Sequence, residues 1–147
     1  MVRAGDLIGA VTGPLRRGTC LLALLAGPAA GQAAGDHLQL CPAGPDAACA
    51  ANQAEFRAAV PLAYRGDYQA QRNVAFCLQD GCGGGIRRNP ALACAWRQVI
   101  LGSGSNRVDG SDESNARLAC AGLDAAQSEI ARAQAARIRR GIARVGR

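Results

Sequence analysis

Residues 70–104 read AQRNVAFCLQDGCGGGIRRNPALACAWRQVILGSG, and this stretch decides the fold. Ala70, Val74, Cys77 and Leu78 recur at i, i+4, i+7 and i+8, which is one face of an α-helix. Asp80-Gly81 ends that helix, and Cys82-Gly83-Gly84-Gly85 is a loop that holds no regular element. Asn89 then supplies a cap and Pro90 the first position of a second helix, with a stripe of Leu92, Trp96, Val99 and Ile100. Gly102 to Asn106 ends it. Two helices with facing apolar stripes across a short reversal form an αα-hairpin. The glycine loop lacks the Lys-Ser/Thr of a phosphate loop and follows no strand, so it reads as the hairpin turn.

Working outward, Gly66 stops one helix and Asp67 caps the next. Before them, residues 47–59 are strong helix formers, Asp46 is their expected cap, and Pro61 either kinks this helix or starts a new turn. Beyond the hairpin, residues 109–114 are polar, and Ser111 or Asp112 is the expected cap of a third helix carrying Ala116, Leu118, Ala119 and Cys120. Gly122 breaks that helix. Asp124 and Gln127 have capping-box spacing and open a final helix, with Ile130, Ile138, Ile142 and Val145 near one face.

Composition fits a single all-α domain of 147 residues. Hydrophobic residues make up 49% but aromatics only 3%, so the core is built from small side chains, which suits close helix packing. Strand formers are sparse. No apolar run reaches the ~18 residues that span a bilayer, so no transmembrane segment is expected. The single His, His37, argues against Ser/Cys–His catalysis and against a multi-His metal site; no metal or cofactor is expected.

Residues 18–34, GTCLLALLAGPAAGQAA, follow Arg16-Arg17 and read as the apolar region and small-residue cleavage zone of an export signal. The signal is assigned to 1–33, a flexible mature N-terminus with an exposed His37 to 34–45, and the location to a secreted or periplasmic compartment. Cys20 falls within the signal. Cys41, Cys49, Cys77, Cys82, Cys94 and Cys120 remain, an even number that points to three disulfides. Their spacing leaves fifteen pairings open and contains no CxxC pair for zinc.

The hairpin resembles a Sel-one-like repeat, a relative of the tetratricopeptide repeat. Ala70 stands at the family's first Ala, Val74 at its Leu and Leu78 at its Tyr. Gly81, Gly85 and Ile86 stand at the loop Gly, Gly and Val, with two extra residues between. Asn89 takes the Asp position, Ala93 the Ala, Trp96 the Trp and Gly104 the closing Gly. The match covers 66–104. It implies a helical repeat domain over 46–123, a short solenoid fragment, followed by a basic amphipathic helix over 124–147. Antiparallel helices would bring Cys77, Cys82 and Cys94 near one another, so one disulfide is expected among them. Cys41–Cys49 is the expected local staple, leaving Cys120 for the remaining cysteine.

The resemblance implies a non-enzymatic scaffold or adaptor that binds another protein in a helical groove. Tyr64, Tyr68, Arg72 and Arg97 punctuate an Ala-rich surface and are the expected partner-binding residues. Some cysteine-rich relatives have been assigned β-lactam hydrolase activity, but the SxxK acylating pattern is not found here. Charge offers a second reading. Residues 34–130 hold eight Arg against ten acids, whereas 131–147 hold six Arg and no acid. Arg132, Arg137, Arg139, Arg140, Arg144 and Arg147 could thus meet an anionic lipid or cell-wall polymer. Nucleic acid is not an expected partner, since no aromatic platform accompanies the charge.

Overall fold

The computed structural model describes residues 33–41 and 47–145. The export signal apart from Ala33, residues 42–45 of the expected flexible N-terminus, the Asp46 cap and Arg147 lie outside the described residues. Within them the fold is all-α: α1 (Ala47–Tyr64), α2 (Tyr68–Asp80), α3 (Pro90–Leu101), α4 (Gly110–Ala121) and α5 (Ala125–Val145), preceded by a 3-10 turn at Ala34–His37.

The α2–α3 hairpin is the centre of the molecule. The Asp67 carboxylate accepts the Ala70 N–H at 2.7 Å and starts α2. Gly81 ends it in the left-handed region at φ 94°, with its N–H on the Cys77 carbonyl. The Asn89 side chain accepts the Leu92 N–H at 3.0 Å and, with Pro90, opens α3. Val74, Leu78, Leu92 and Trp96 meet across the reversal in one buried cluster, as their spacing requires. The ring of Tyr64 stands edge-on to Trp96 at 5.1 Å.

Helix α3 is buried on nearly every side, because α2, α4 and α5 all pack against it. Helix α1 covers α2 through Phe56, Ala59, Val60 and Ala63. Pro61 neither ends nor splits α1, which runs on to Tyr64. Its ring faces solvent, where the carbonyl it frees can be hydrated.

Two expected faces are corrected. In α4 the inward residues are Asp112, Ala116 and Ala119, while Leu118 points out at 70% exposure. In α5 the inward stripe is Ala131, Ala135 and Ile138, with Ile142 alongside. Ile130 and Val145 are exposed. α5 lies so close to α3 that alanines fit the contact where larger side chains would not. The Asp124–Gln127 capping box forms as expected, with bonds of 2.8 and 3.1 Å.

The N-terminal segment is also corrected. It is docked on the hairpin loop rather than flexible along residues 34–41. Leu38 and Ile86 form an antiparallel bridge; Gln39 N–H bonds the Gly85 carbonyl at 3.0 Å and Arg87 N–H the His37 carbonyl at 2.7 Å. The Gln53 amide bonds the carbonyls of both Gln39 and Gly85. His37 is thereby buried, edge-on to Phe56 at 6.2 Å. Gly85 is needed here, since a Cβ would stand 3.0 Å from the Cys49 carbonyl oxygen.

Three disulfides join Cys41–Cys49, Cys77–Cys82 and Cys94–Cys120. They are the expected staple, one pair within the hairpin, and the remaining pair. The first ties the N-terminal segment to α1, the second closes α2 onto the reversal, and the third joins the start of α3 to the end of α4. Such cross-links suit an oxidising compartment. No helix among the described residues is long and apolar enough to cross a membrane.

Candidate functional site

Most of the polar chemistry collects where α2 meets α4. Tyr68 is the first residue of α2 and Arg72 lies one turn further on the same face. Ser111 and Asp112 occupy the first turn of α4. That turn is set by Asp109, which replaces Ser111 and Asp112 as the cap. Its carboxylate accepts the N–H groups of Ser111 at 2.8 Å and Asp112 at 3.2 Å, and the Asp112 carboxylate accepts the Asp109 N–H at 3.3 Å. Asp112 is therefore a buried member of a capping box.

The Tyr68 hydroxyl donates to Asp112 Oδ2 at 2.5 Å. Arg72 reaches three groups: Asp112 Oδ1 at 3.3 Å, the Tyr68 hydroxyl at 3.2 Å and Ser111 Oγ at 3.1 Å. The Arg107 guanidinium lies 4.5 Å from the centre of the Tyr68 ring. The hydrogen bond to Asp112, and then burial, hold the Tyr68 hydroxyl above its usual range. The Ser111 hydroxyl, then the two N–H groups, hold Asp109 below the usual carboxylate range.

Of the four expected partner-binding residues, Tyr68 and Arg97 are turned inward, 7% and 4% exposed. Arg72 is spent on Asp112 and Ser111, and Tyr64 is half-buried against Trp96. They line contacts between helices and form no open groove, because α4 and α5 cover the hairpin flanks on which they sit. Asp112, Ser111 and Arg107 complete the cluster and were not expected there. The D-x-x-D spacing of Asp109 and Asp112 was the available signal for the cap, but nothing local ties it to Tyr68.

The outward face of the same two helices is apolar at two points. Phe76 is 53% and Leu118 70% exposed. Phe76 lies one turn beyond Arg72, and Leu118 two turns beyond the Ser111 that Arg72 bonds. Because α3 runs antiparallel to both, α2 and α4 run parallel, and each presents one large apolar side chain to solvent.

The arginines of α5 divide in two. Arg132 pairs with Glu129, and Arg139 donates to the Gln98 carbonyl at 2.6 Å while lying over Gly102. Arg137, Arg140 and Arg144 recur at i, i+3 and i+7 on the exposed side, opposite Ala131, Ala135 and Ile138. Comparison with known proteins finds no matching family model, no matching curated protein and no matching solved structure.

Proposed function

We propose that this chain is an exported, disulfide-pinned helical module of the Sel-one-like repeat kind, which works by binding another protein and performs no chemistry of its own. The observation that carries this reading is that α2 and α4 each leave a large apolar side chain, Phe76 and Leu118, in solvent. The first turns of those two helices are tied together by the Tyr68–Arg72–Asp112 cluster. A rigid backing lowers the ordering cost of association, and exposed aromatic and aliphatic side chains supply desolvation energy at the centre of an interface. The test places a photo-crosslinking residue at position 76 or 118, with position 55 on α1 as the control, in cells that export the chain. A discrete adduct from 76 and 118, absent from 55 and from a Leu118→Glu chain, supports the reading. Equal labelling from all three positions refutes it.

A second reading is favoured by one specific observation, the outward stripe of Arg137, Arg140 and Arg144. These charges suit contact with an anionic polymer or lipid surface, screened by salt. Reversing all three to Glu should abolish sedimentation with anionic vesicles at low salt; unchanged sedimentation removes this reading.

A further inference from the structure

Residues 33–41 bury one side chain, His37, which is 4% exposed. Its imidazole lines a small cavity with Phe56, Val74, Leu78, Leu92 and Trp96. Its Nδ1 is enclosed with no hydrogen-bond partner among the described residues. The rest of the segment adheres through polar contacts. Gln39 N–H bonds the Gly85 carbonyl, and Arg87 N–H bonds the His37 carbonyl. The Arg87 guanidinium bonds the Asp36 carbonyl at 2.5 Å, and the Gln53 amide bonds the Gln39 carbonyl. Just beyond, Cys41 is fixed to Cys49. Residues 34–40 are thus a short strap with one buried anchor and a covalent tether at its C-terminal end.

Two charges among the described residues face that anchor. Asp36 stands on its own turn, exposed, and its carboxylate takes the Ala33 N–H at 3.1 Å. Arg87 comes from the reversal. α1 lines the cavity with Phe56, Val60 and Tyr64, while its Glu55 and Arg57 are exposed. Burial holds the Tyr64 hydroxyl above its usual range, so it stays neutral. α2 and α3 add only apolar side chains to the lining. A neutral imidazole suits this cavity. A protonated one has donors at both nitrogens, and the enclosed Nδ1–H would meet no acceptor, with a guanidinium nearby. Burial first, then Arg87, lowers the docked ring below the ordinary 6.5, and Asp36 opposes this only in part. In a released strap the ring is hydrated and returns to its ordinary value. Docking is therefore complete above pH 6.5 and weakens as pH falls through the lowered value.

We propose that residues 34–40 form an acid-released strap: His37 leaves its cavity on protonation, and the segment swings out from the Cys41–Cys49 bond while α1 to α5 stay packed. Release bares Phe56 and the Arg87 N–H. The opening is local because the strap contributes one buried side chain, whereas the helices share a core of their own. It depends neither on the exposed Phe76 and Leu118 nor on the α5 arginines.

The experiment measures amide hydrogen exchange by NMR on the full chain with its disulfides intact, at about pH 7 and about pH 5, on either side of the ordinary histidine value. Protection is corrected for the intrinsic pH dependence of exchange. At Gln39 and Arg87, whose N–H groups cross between strap and reversal, it should fall about tenfold or more, as expulsion of an unpaired buried charge implies. Ile86, whose N–H bonds the Gly81 carbonyl within the reversal, and Val99 in α3 should keep theirs. His37→Gln should abolish the pH response. In the wild-type chain the His37 ring resonances should titrate with the same midpoint as the loss of protection, a readout that stands even where the variant fails to fold. Three results overturn the proposal: unchanged protection at Gln39 and Arg87, an equal loss at Val99, or a ring that titrates while both amides stay protected.

Discussion

The two sides of α3 are held by different means. Toward α1, α2 and α5 it presents Leu92, Trp96 and Val99, which meet Phe56, Val74, Leu78 and Ile138 in one apolar cluster. Toward α4 the partner offers only Ala116 and Ala119 as apolar cover, and the contact is completed by Asp112 with Tyr68 and Arg72, and by the Cys94–Cys120 bond. Apolar bulk holds helices where it is present. Where only alanines are available, a cross-link and a buried charge cluster take over, the first adding stability and the second fixing geometry more than it stabilises.

Five measurements sharpen or break this contrast. Trp96→Ala should have the largest effect, about 3–5 kcal/mol in denaturant unfolding followed by circular dichroism, as for aromatic truncation in a packed core. A cost below that of the polar variants would reverse the comparison. Replacing Cys94 and Cys120 by Ser should cost about 3.5 kcal/mol, from the loop-closure relation at the separation of 26. Amide exchange should then accelerate at Ala116 and Ala119 before it does in α2. The Cys77–Cys82 pair, at a separation of 5, should cost less, about 2 kcal/mol.

Tyr68→Phe removes the hydroxyl's hydrogen bond to the Asp112 carboxylate, together with the one it accepts from Arg72, and should cost about 2 kcal/mol. The smallest effect is the pH response of His37. Burial first, then the nearby Arg87, lowers its folded-state value below the ordinary 6.5, against a weaker opposing pull from Asp36. Its contribution is thus fully present above pH 6.5 and is lost as pH falls through the lowered value. Melting temperature should drop between pH 7.5 and 5, and His37→Gln should flatten that part of the profile. An unchanged slope in the variant would show that His37 is not docked as described.

The hairpin was legible because its determinants are local. Asp67, Gly81, Asn89 and Pro90 act within a turn of where they stand, and period 3.6 picks out Val74, Leu78, Leu92 and Trp96. The site was far less legible. Tyr68, Arg72 and Arg97 read as surface residues because nothing within their own helices says that Asp112, 44 residues after Tyr68, will cover them. Leu118 and Ile130 failed for the reverse reason: hydrophobicity alone assigns them inward, but α4 and α5 approach α3 on alanines. His37 was misplaced because its burial comes from bridging to Ile86 and Arg87, with no periodic signal in so short a segment.

By itself the sequence determined the helices, their caps and the central reversal, since each depends on backbone geometry and side chains within about one turn. The tertiary structure alone decided which side chains became internal. That choice set Asp112 against Tyr68, enclosed Arg97 without a partner and left Phe76 and Leu118 in solvent. Burial depends on which helix covers which, a property of chain segments far apart in sequence, and no local spacing encodes it.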